Sequence, residues 1–262
     1  MGDVTRRCAF TLAVAQTPPG KAERKKGKRG DETRMDLYQQ QLHDQRLRLP
    51  AEIRYHCVDG YFAKQKYMTE VVALKLHAIT KLRHDANCVF LYTGPHPKRR
   101  GRRRKYDGKV NFQDLARFDA LGTLADKPHP PLYTAPVWHV SLKRQLRIVV
   151  LVNRKEAAKP RYIVLASTDL ALDSHKLVRL YAARFQIEFL FRDSKQFTGL
   201  TDCQSRAEPV LDFHVNTALA TLNLARAEEL RTQPTLKPHV FSMASWKQRH
   251  FNERLLDLLI DN

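Results

Sequence analysis

Tyr181, Arg184, Glu188 and Lys195 stand three, four and seven residues apart within the stretch Asp173–Phe197. On a helix, at roughly 100° per residue, these four side chains point within about 60° of one another and form one polar seam. The types suit work on a phosphate: Arg184 and Lys195 offer charge-assisted donors, Tyr181 can hydrogen-bond a phosphate or stack on a displaced base, and Glu188 is a carboxylate set between cations. A solvated helix face is the plain alternative. Against it, Leu180, Ile187 and Phe191 flank the seam on one side and Val178, Phe185 and Phe189 on the other. His175, Arg179, Gln186 and Asp193 fall on the far face, which reads as the wet one. A charge hemmed by apolar stripes is costly unless it is paired or binds something charged, so the seam is read as functional.

One element has to position these groups. Asp173 is a good N-cap, and neither Gly nor Pro interrupts the residues up to Phe197, so the pattern predicts one long helix. A second carboxylate comes from Ile53–Phe62, which reads as a buried strand running into Asp59-Gly60. The end of a strand is the usual place for catalytic groups in α/β sheets, although Asp-Gly is also a common turn pair. Lys64–Leu82 follows as an amphipathic helix, giving the order strand, Asp59, helix.

The charge balance says what the seam would meet. Lys and Arg number 46 against 27 Asp and Glu, a net charge of +19 on 262 residues, which points to a polyanion, with nucleic acid first. There is no apolar run near ~18 residues and no signal-peptide pattern, so no membrane partner is expected, and the location is read as cytoplasmic and nucleoid-associated. Cys8, Cys57, Cys88 and Cys203 are widely separated, which disfavours structural zinc and predicts reduced thiols. Arg99, Arg100, Arg102, Arg103 and Arg104, with Lys98, Lys105, Lys109 and Tyr106, crowd one loop between structured segments and read as a DNA-backbone contact. Lys21–Gly30 is a second basic loop, equally consistent with solvation and with phosphate contact.

The run Tyr181-x2-Arg184-x3-Glu188-x6-Lys195 resembles, without a gap, the signature of bacterial insertion-sequence transposases of the DDE type, the insertion sequence four family. That resemblance implies an α/β fold with a ribonuclease H-like core and a β-rich insertion between the second Asp and the catalytic Glu. Val58-Asp59-Gly60 matches the strand end that carries the family's second Asp. Leu132–Val140, Gln145–Asn153 and Arg161–Ser167 read as an antiparallel β region in the place of the insertion. The implied division is 1–92 for the first part of the core, 93–168 for the basic loop and insertion, 169–232 for the second part of the core and 233–262 for a helical tail.

Thr33–Leu47, Pro209–Arg231 and Ser242–Asn262 are further helices, with His214 and Asn216 expected in the core and Trp246 and Phe251 as anchors of the last one. Cys8–Gln16 reads as a strand. Only Asp3 precedes Asp59 in a strand-like setting, so the core is expected to lack its first strand and first Asp, as in an N-terminally truncated copy.

The implied activity is cut-and-paste DNA transposition by phosphodiester hydrolysis and strand transfer on double-stranded transposon ends and target, by a homodimer in a synaptic complex. Two Mg²⁺ ions, with Mn²⁺ as a substitute, roughly 3.5 to 4 Å apart would stabilise the attacking and leaving oxygens. Asp59 and Glu188 would be catalytic metal ligands, with Asp3 the remaining candidate, and Lys195 would contact the transposon end. The alternatives are a catalytically inactive DNA-binding remnant and an RNA-binding protein, the latter giving no reason for the seam.

Overall fold

The computed structural model describes residues 2–3, 8–16, 33–95, 101–122, 131–153, 161–232 and 241–260. The chain divides into two compact units, Leu42–Ala182 and a second made of Met1–Gln41 with Ala183–Asn262.

The chain begins with β1 (Gly2–Asp3), paired antiparallel to β2 (Cys8–Ala9). Helix α1 (Arg34–Arg46) starts at Thr33, whose hydroxyl accepts from the Asp36 N–H at 3.4 Å while the Asp36 carboxylate accepts from the Thr33 N–H at 2.9 Å, a reciprocal cap. Then come β3 (Tyr55–Val58), α2 (Gln65–Ala73) and β4 (His77–Leu82), with β3 and β4 parallel. The sheet is extended by β5 (Cys88–Leu91), β6 (Tyr106–Lys109), the short β7 (Asp119–Ala120), β8 (Leu132–His139), β9 (Arg144–Asn153) and β10 (Arg161–Ser167). Its strand order is β3-β4-β10-β9-β8-β5-β6, with β7 also on β8, and every pairing other than β3 with β4 is antiparallel. The architecture is mixed α/β around a central mixed sheet.

The three strands expected between Leu132 and Ser167 are therefore present, and they share one sheet with β3 and β4. Ile148, Val149 and Val150 are all fully buried, so both faces of β9 are covered. On one face α3 (Ser174–Ala183) packs Leu177 and Tyr181 against Ile79, Val149 and Leu165. On α2, Met68 and Val71 are buried, and the Arg144 guanidinium of β9 donates to the Met68 carbonyl at 3.1 Å.

The helix expected over Lys64–Leu82 ends at Ala73 instead. Lys75 takes φ 59°, its N–H donates to the Val72 carbonyl at 3.0 Å and the Leu76 N–H to the Val71 carbonyl at 3.1 Å. This is a left-handed cap of the kind usually built on Gly, and with Lys in that position the sequence carries no stop signal. The β-branched Ile79 and Thr80 then continue as strand.

In the other unit, α4 (Gln186–Phe197), α5 (Glu208–Thr232) and α6 (Met243–Ile260) enclose a small core of Leu190, Leu219, Leu222, Ala225 and Met243. Trp246 packs on it as expected, whereas Phe251, expected as an anchor, is 67% exposed on the outer side of α6. His214 is half-buried and its Nε2 lies 2.7 Å from the Gly199 carbonyl.

The expected strand Cys8–Gln16 is paired as strand only at Cys8–Ala9. Beyond it the chain is held by side chains of α5. Asn223 accepts from the Thr11 N–H at 3.0 Å and donates to the Thr11 carbonyl at 2.6 Å, and Asn216 does the same for Val14 at 3.2 Å each way. Each amide thus supplies the donor and acceptor that a neighbouring strand would offer.

Candidate active site and nucleic-acid interface

Asp59 follows β3 directly and is exposed. Its backbone is pinned on two sides: its carbonyl accepts from the Phe62 N–H at 3.0 Å, closing the 3-10 turn Gly60–Phe62, and from the Thr80 hydroxyl of β4 at 3.2 Å. A Cβ on Gly60 would lie 2.9 Å from the Lys81 carbonyl oxygen, so this turn hugs β4 in a way only glycine permits without a shift. The carboxylate makes no capping bond to the turn. The strand end therefore offers Asp59 outward from a fixed backbone, as the sequence pattern predicts.

The signature run is divided. The single helix expected over Asp173–Phe197 breaks at Arg184-Phe185 into α3 and α4. The Ile187 N–H donates to the Arg184 carbonyl and the Glu188 N–H to the Phe185 carbonyl, three residues back where an α-helix reaches four, so the junction is a tightened turn. Neither Gly nor Pro marks it, and the apolar pattern runs straight through.

Tyr181 lies in the sheet unit and is 8% exposed in its core. Arg184, Glu188 and Lys195 lie in the other unit, with Arg184 half-buried and its guanidinium 5.3 Å from the Phe185 ring centre. Glu188 and Lys195 are both exposed and, seven residues apart, share one face of α4.

The faces of α4 differ from the expected wheel. Leu190, Asp193 and Ser194 are its buried side chains, and Asp193, expected on the wet face, is the most informative correction. Its Oδ2 lies 3.5 Å from Arg226 of α5, both side chains being 4% exposed, while Arg192 holds Oδ1 at 2.8 Å from the surface. Arg226 also donates to the Ala9 carbonyl and lies 5.3 Å over the Phe241 ring. A buried aspartate is tolerable because a buried guanidinium answers it. The signal in the sequence is positional: Arg226 stands at helical spacing from Leu219 and Leu222, on the buried face of α5. Conversely Phe185, Ile187, Phe189 and Phe191, expected as packed stripes, are 49%, 48%, 38% and 42% exposed.

In the basic loop, Arg102, Arg103, Arg104 and Lys105 are exposed and lead into β6, while Arg99 and Arg100 lie outside the described residues. Arg104 is the one that builds local structure. Its Nε donates to the Tyr106 carbonyl at 3.0 Å, it pairs with Asp107, and its guanidinium sits 4.8 Å over the Tyr92 ring. Asp107 is gripped from the other side by Arg117 at 2.6 Å, and Arg117 lies 4.0 Å over the Phe90 ring. Arg102 and Arg103 extend from this anchored turn with their charge in solvent, the arrangement that suits a phosphate backbone.

Asp3 stands in β1, opposite Cys8, and its side chain lies outside the described residues. Lys21–Gly30 lies outside them too. All four cysteines are free thiols, Cys8 and Cys88 buried, and burial pushes the Cys88 thiol up to about 12. Among the described residues no three His, Cys, Asp or Glu side chains converge on a point where a metal ion could be held. Among the same residues no helix is long and apolar enough to cross a membrane.

A family model described as the transposase DDE domain matches residues 21–224, more than three-quarters of the chain and a span that includes Asp59, the basic loop and the whole signature run. The chain belongs to the DDE transposase family. The central mixed α/β sheet is consistent with the ribonuclease H-like fold of such domains, which generally use divalent metal ions and act on DNA. The curated proteins offer no match.

Proposed function

We propose that this DDE transposase is of the insertion sequence four type and catalyses cut-and-paste transposition, cleaving phosphodiesters at transposon ends and joining them to target DNA. Asp59 and Glu188 are its catalytic carboxylates in this reading. The observation that carries it is the presentation of Asp59 from a glycine-fixed turn at the end of β3, inside a family match that also spans Glu188 and Lys195. Arg184 and Lys195 hold phosphates near the cleaved bond, and Arg102 and Arg103 grip the backbone farther along the duplex. Tyr181 enters this reading through its hydroxyl alone, because its ring is packed in the core of the sheet unit, and Tyr181→Phe would test the hydroxyl separately from the ring.

The proposal includes Mg²⁺ as the ion supplied, with Mn²⁺ as a substitute, a homodimer that synapses two ends, and residence on the bacterial nucleoid. The net charge of +19 supports a DNA partner through counterion release, which makes binding fall steeply with salt. The test is nicking and strand transfer of a transposon-end duplex in Mg²⁺ or Mn²⁺, comparing the chain with Glu188→Ala. Product from the first and none from the second supports the reading. Equal product from both, or salt-sensitive binding with no product from either, overturns its catalytic part.

A further inference from the structure

Asp59 leaves β3 from a fixed backbone, held on its β4 side by the Thr80 hydroxyl and by the close approach of Gly60 to Lys81. On the α2 side the bridging residue is Tyr67. It lies in the first turn of α2, is 3% exposed, and its hydroxyl is 2.9 Å from His56 Nε2 on β3. Its ring stands 6.0 Å from the His56 ring at 38° and 4.9 Å from the Phe62 ring at 49°. His56 is three residues before Asp59 and Phe62 three residues after it. A single side chain therefore joins the strand that leads into the carboxylate to the turn that leads away from it. Beyond Phe62 the contact continues to Tyr61, edge-on at 5.3 Å and 89°, which carries the Lys64 ammonium 4.2 Å over its ring.

Strand alternation places this bridge behind Asp59. Tyr55 and Cys57 pack against the cluster that α3 covers, so His56 and Val58 face the other side of the sheet, where Tyr67 meets His56. Asp59 keeps an extended backbone, φ −73° and ψ 164°, which carries its side chain to the α3 side. Tyr67 thus acts on the carboxylate only through the main chain. Phenylalanine and an aliphatic residue would fill the same space without burying a hydroxyl and an imidazole, which is costly unless each finds a partner. Burial pushes the Tyr67 phenol up to about 12 and pulls His56 down to about 4, so at neutral pH both are uncharged and share one hydrogen bond. Such a bond adds little net stability, but it has direction and fixes the Tyr67 ring against Phe62.

We infer that the Tyr67 hydroxyl is a positioning group for Asp59, holding β3 through His56 and the Gly60–Phe62 turn through Phe62 so that the carboxylate leaves the strand in one direction. The inference rests on the reading of Asp59 as a catalytic carboxylate and adds the element that aims it. His56 and Tyr67 are 11 residues apart, across the boundary between strand and helix, and neither periodicity reports that they meet.

The test separates aim from stability. Tyr67→Phe keeps the ring and removes the hydroxyl, His56→Leu removes its partner, and His56→Gln restores a polar group near the Nε2 position. In single-turnover cleavage of a transposon-end duplex at saturating DNA, Tyr67→Phe and His56→Leu are each expected to lose roughly tenfold to a hundredfold in rate at unchanged duplex affinity. The double variant should lose little more, and His56→Gln should recover most of the rate. Amide hydrogen exchange gives a readout that needs no catalysis. The Phe62 N–H, which donates to the Asp59 carbonyl, should exchange roughly two- to tenfold faster in Tyr67→Phe, while the Val149 and Val150 amides of β9 exchange as in the parent. Global loosening would speed all three alike and count against the inference. If Phe62 exchange and cleavage both match the parent in Tyr67→Phe while Glu188→Ala abolishes cleavage, the positioning role is wrong and the catalytic reading stands. Faster Phe62 exchange with undiminished cleavage also overturns it, since the turn then moves without consequence. If the parent and Glu188→Ala give equal product, or neither gives any, the catalytic reading fails and takes the positioning role with it.

Discussion

Removal of the Asp193 carboxylate should be among the most damaging single changes in the helical unit, even though the residue has no part in the proposed chemistry. In Asp193→Ala the Arg226 guanidinium, 4% exposed, loses the carboxylate 3.5 Å away that offsets its burial. Burial alone already pulls Arg226 below the ordinary arginine range, with Asp193 opposing it. Breaking such a pair from one side costs about 3–5 kcal/mol. Arg226 would keep its bond to the Ala9 carbonyl and its place over Phe241, which favours about 3 kcal/mol, the lower end. The second partner adds little, since Arg192 is 60% exposed and such pairs contribute about 0–1 kcal/mol. The assay is urea unfolding followed by Trp246, which packs on this core, in a Trp138→Phe background so that the sheet unit is silent. The midpoint should drop with little change in slope. The double variant Asp193→Leu, Arg226→Met should recover most of the loss, because two apolar groups leave no charge uncompensated. A cost below about 1 kcal/mol for Asp193→Ala, or a double variant no better than the single one, would refute the reasoning.

Burial depresses His56, 2.9 Å from the Tyr67 hydroxyl, to about 4, so the folded chain binds fewer protons than the unfolded one between pH 4 and 6.5. Stability contributed by keeping this ring neutral is intact above pH 6.5 and is lost on acidification through that window, by about 3 kcal/mol at its foot. His56→Gln should flatten that part of a stability profile measured by denaturant unfolding, and an unchanged slope would count against it. Gly60→Ala places a Cβ 2.9 Å from the Lys81 carbonyl and should cost about 1–3 kcal/mol by thermal unfolding, with DNA cleavage reduced more than DNA binding because the turn that aims Asp59 moves. Asn223→Ala leaves the Thr11 N–H and carbonyl without their partner and should cost about 1–3 kcal/mol, seen as faster proteolysis within residues 8–16 at unchanged cleavage elsewhere.

Sequence periodicity and residue type made much of this molecule legible. Strands β8, β9 and β10 announce themselves through β-branched runs with turn punctuation, α1 through the helical spacing of Met35, Leu37, Tyr38 and Leu42, and Asp59 through the strand that precedes it. The failures share a physical cause: local signals do not report partners from far along the chain. Asp193 looks solvated until Arg226 is set beside it. Helix ends stay hidden where no Gly or Pro marks them, at Lys75 with its left-handed backbone and at the Arg184-Phe185 junction. The expected wheel over Asp173–Phe197 assumed an unbroken helix, and the tightened turn divides it, so Glu188 and Lys195 share a face of α4 while Tyr181 belongs to the sheet core. Chemistry-bearing residues were read from types and spacing, and the core from periodicity. The buried ion pair needs the fold to be seen.

The central claim, that Asp59 and Glu188 act together on a DNA phosphodiester, is tested most directly by single-turnover cleavage of a transposon-end duplex by the parent chain, Asp59→Ala, Glu188→Ala and the double variant, all at saturating DNA. Groups that act as a unit are strongly non-additive: each single variant should lose nearly all cleavage and the double variant little more, with duplex affinity unchanged. Cleavage that persists in either single variant, or losses that multiply in the double variant as for independent sites, would contradict the account.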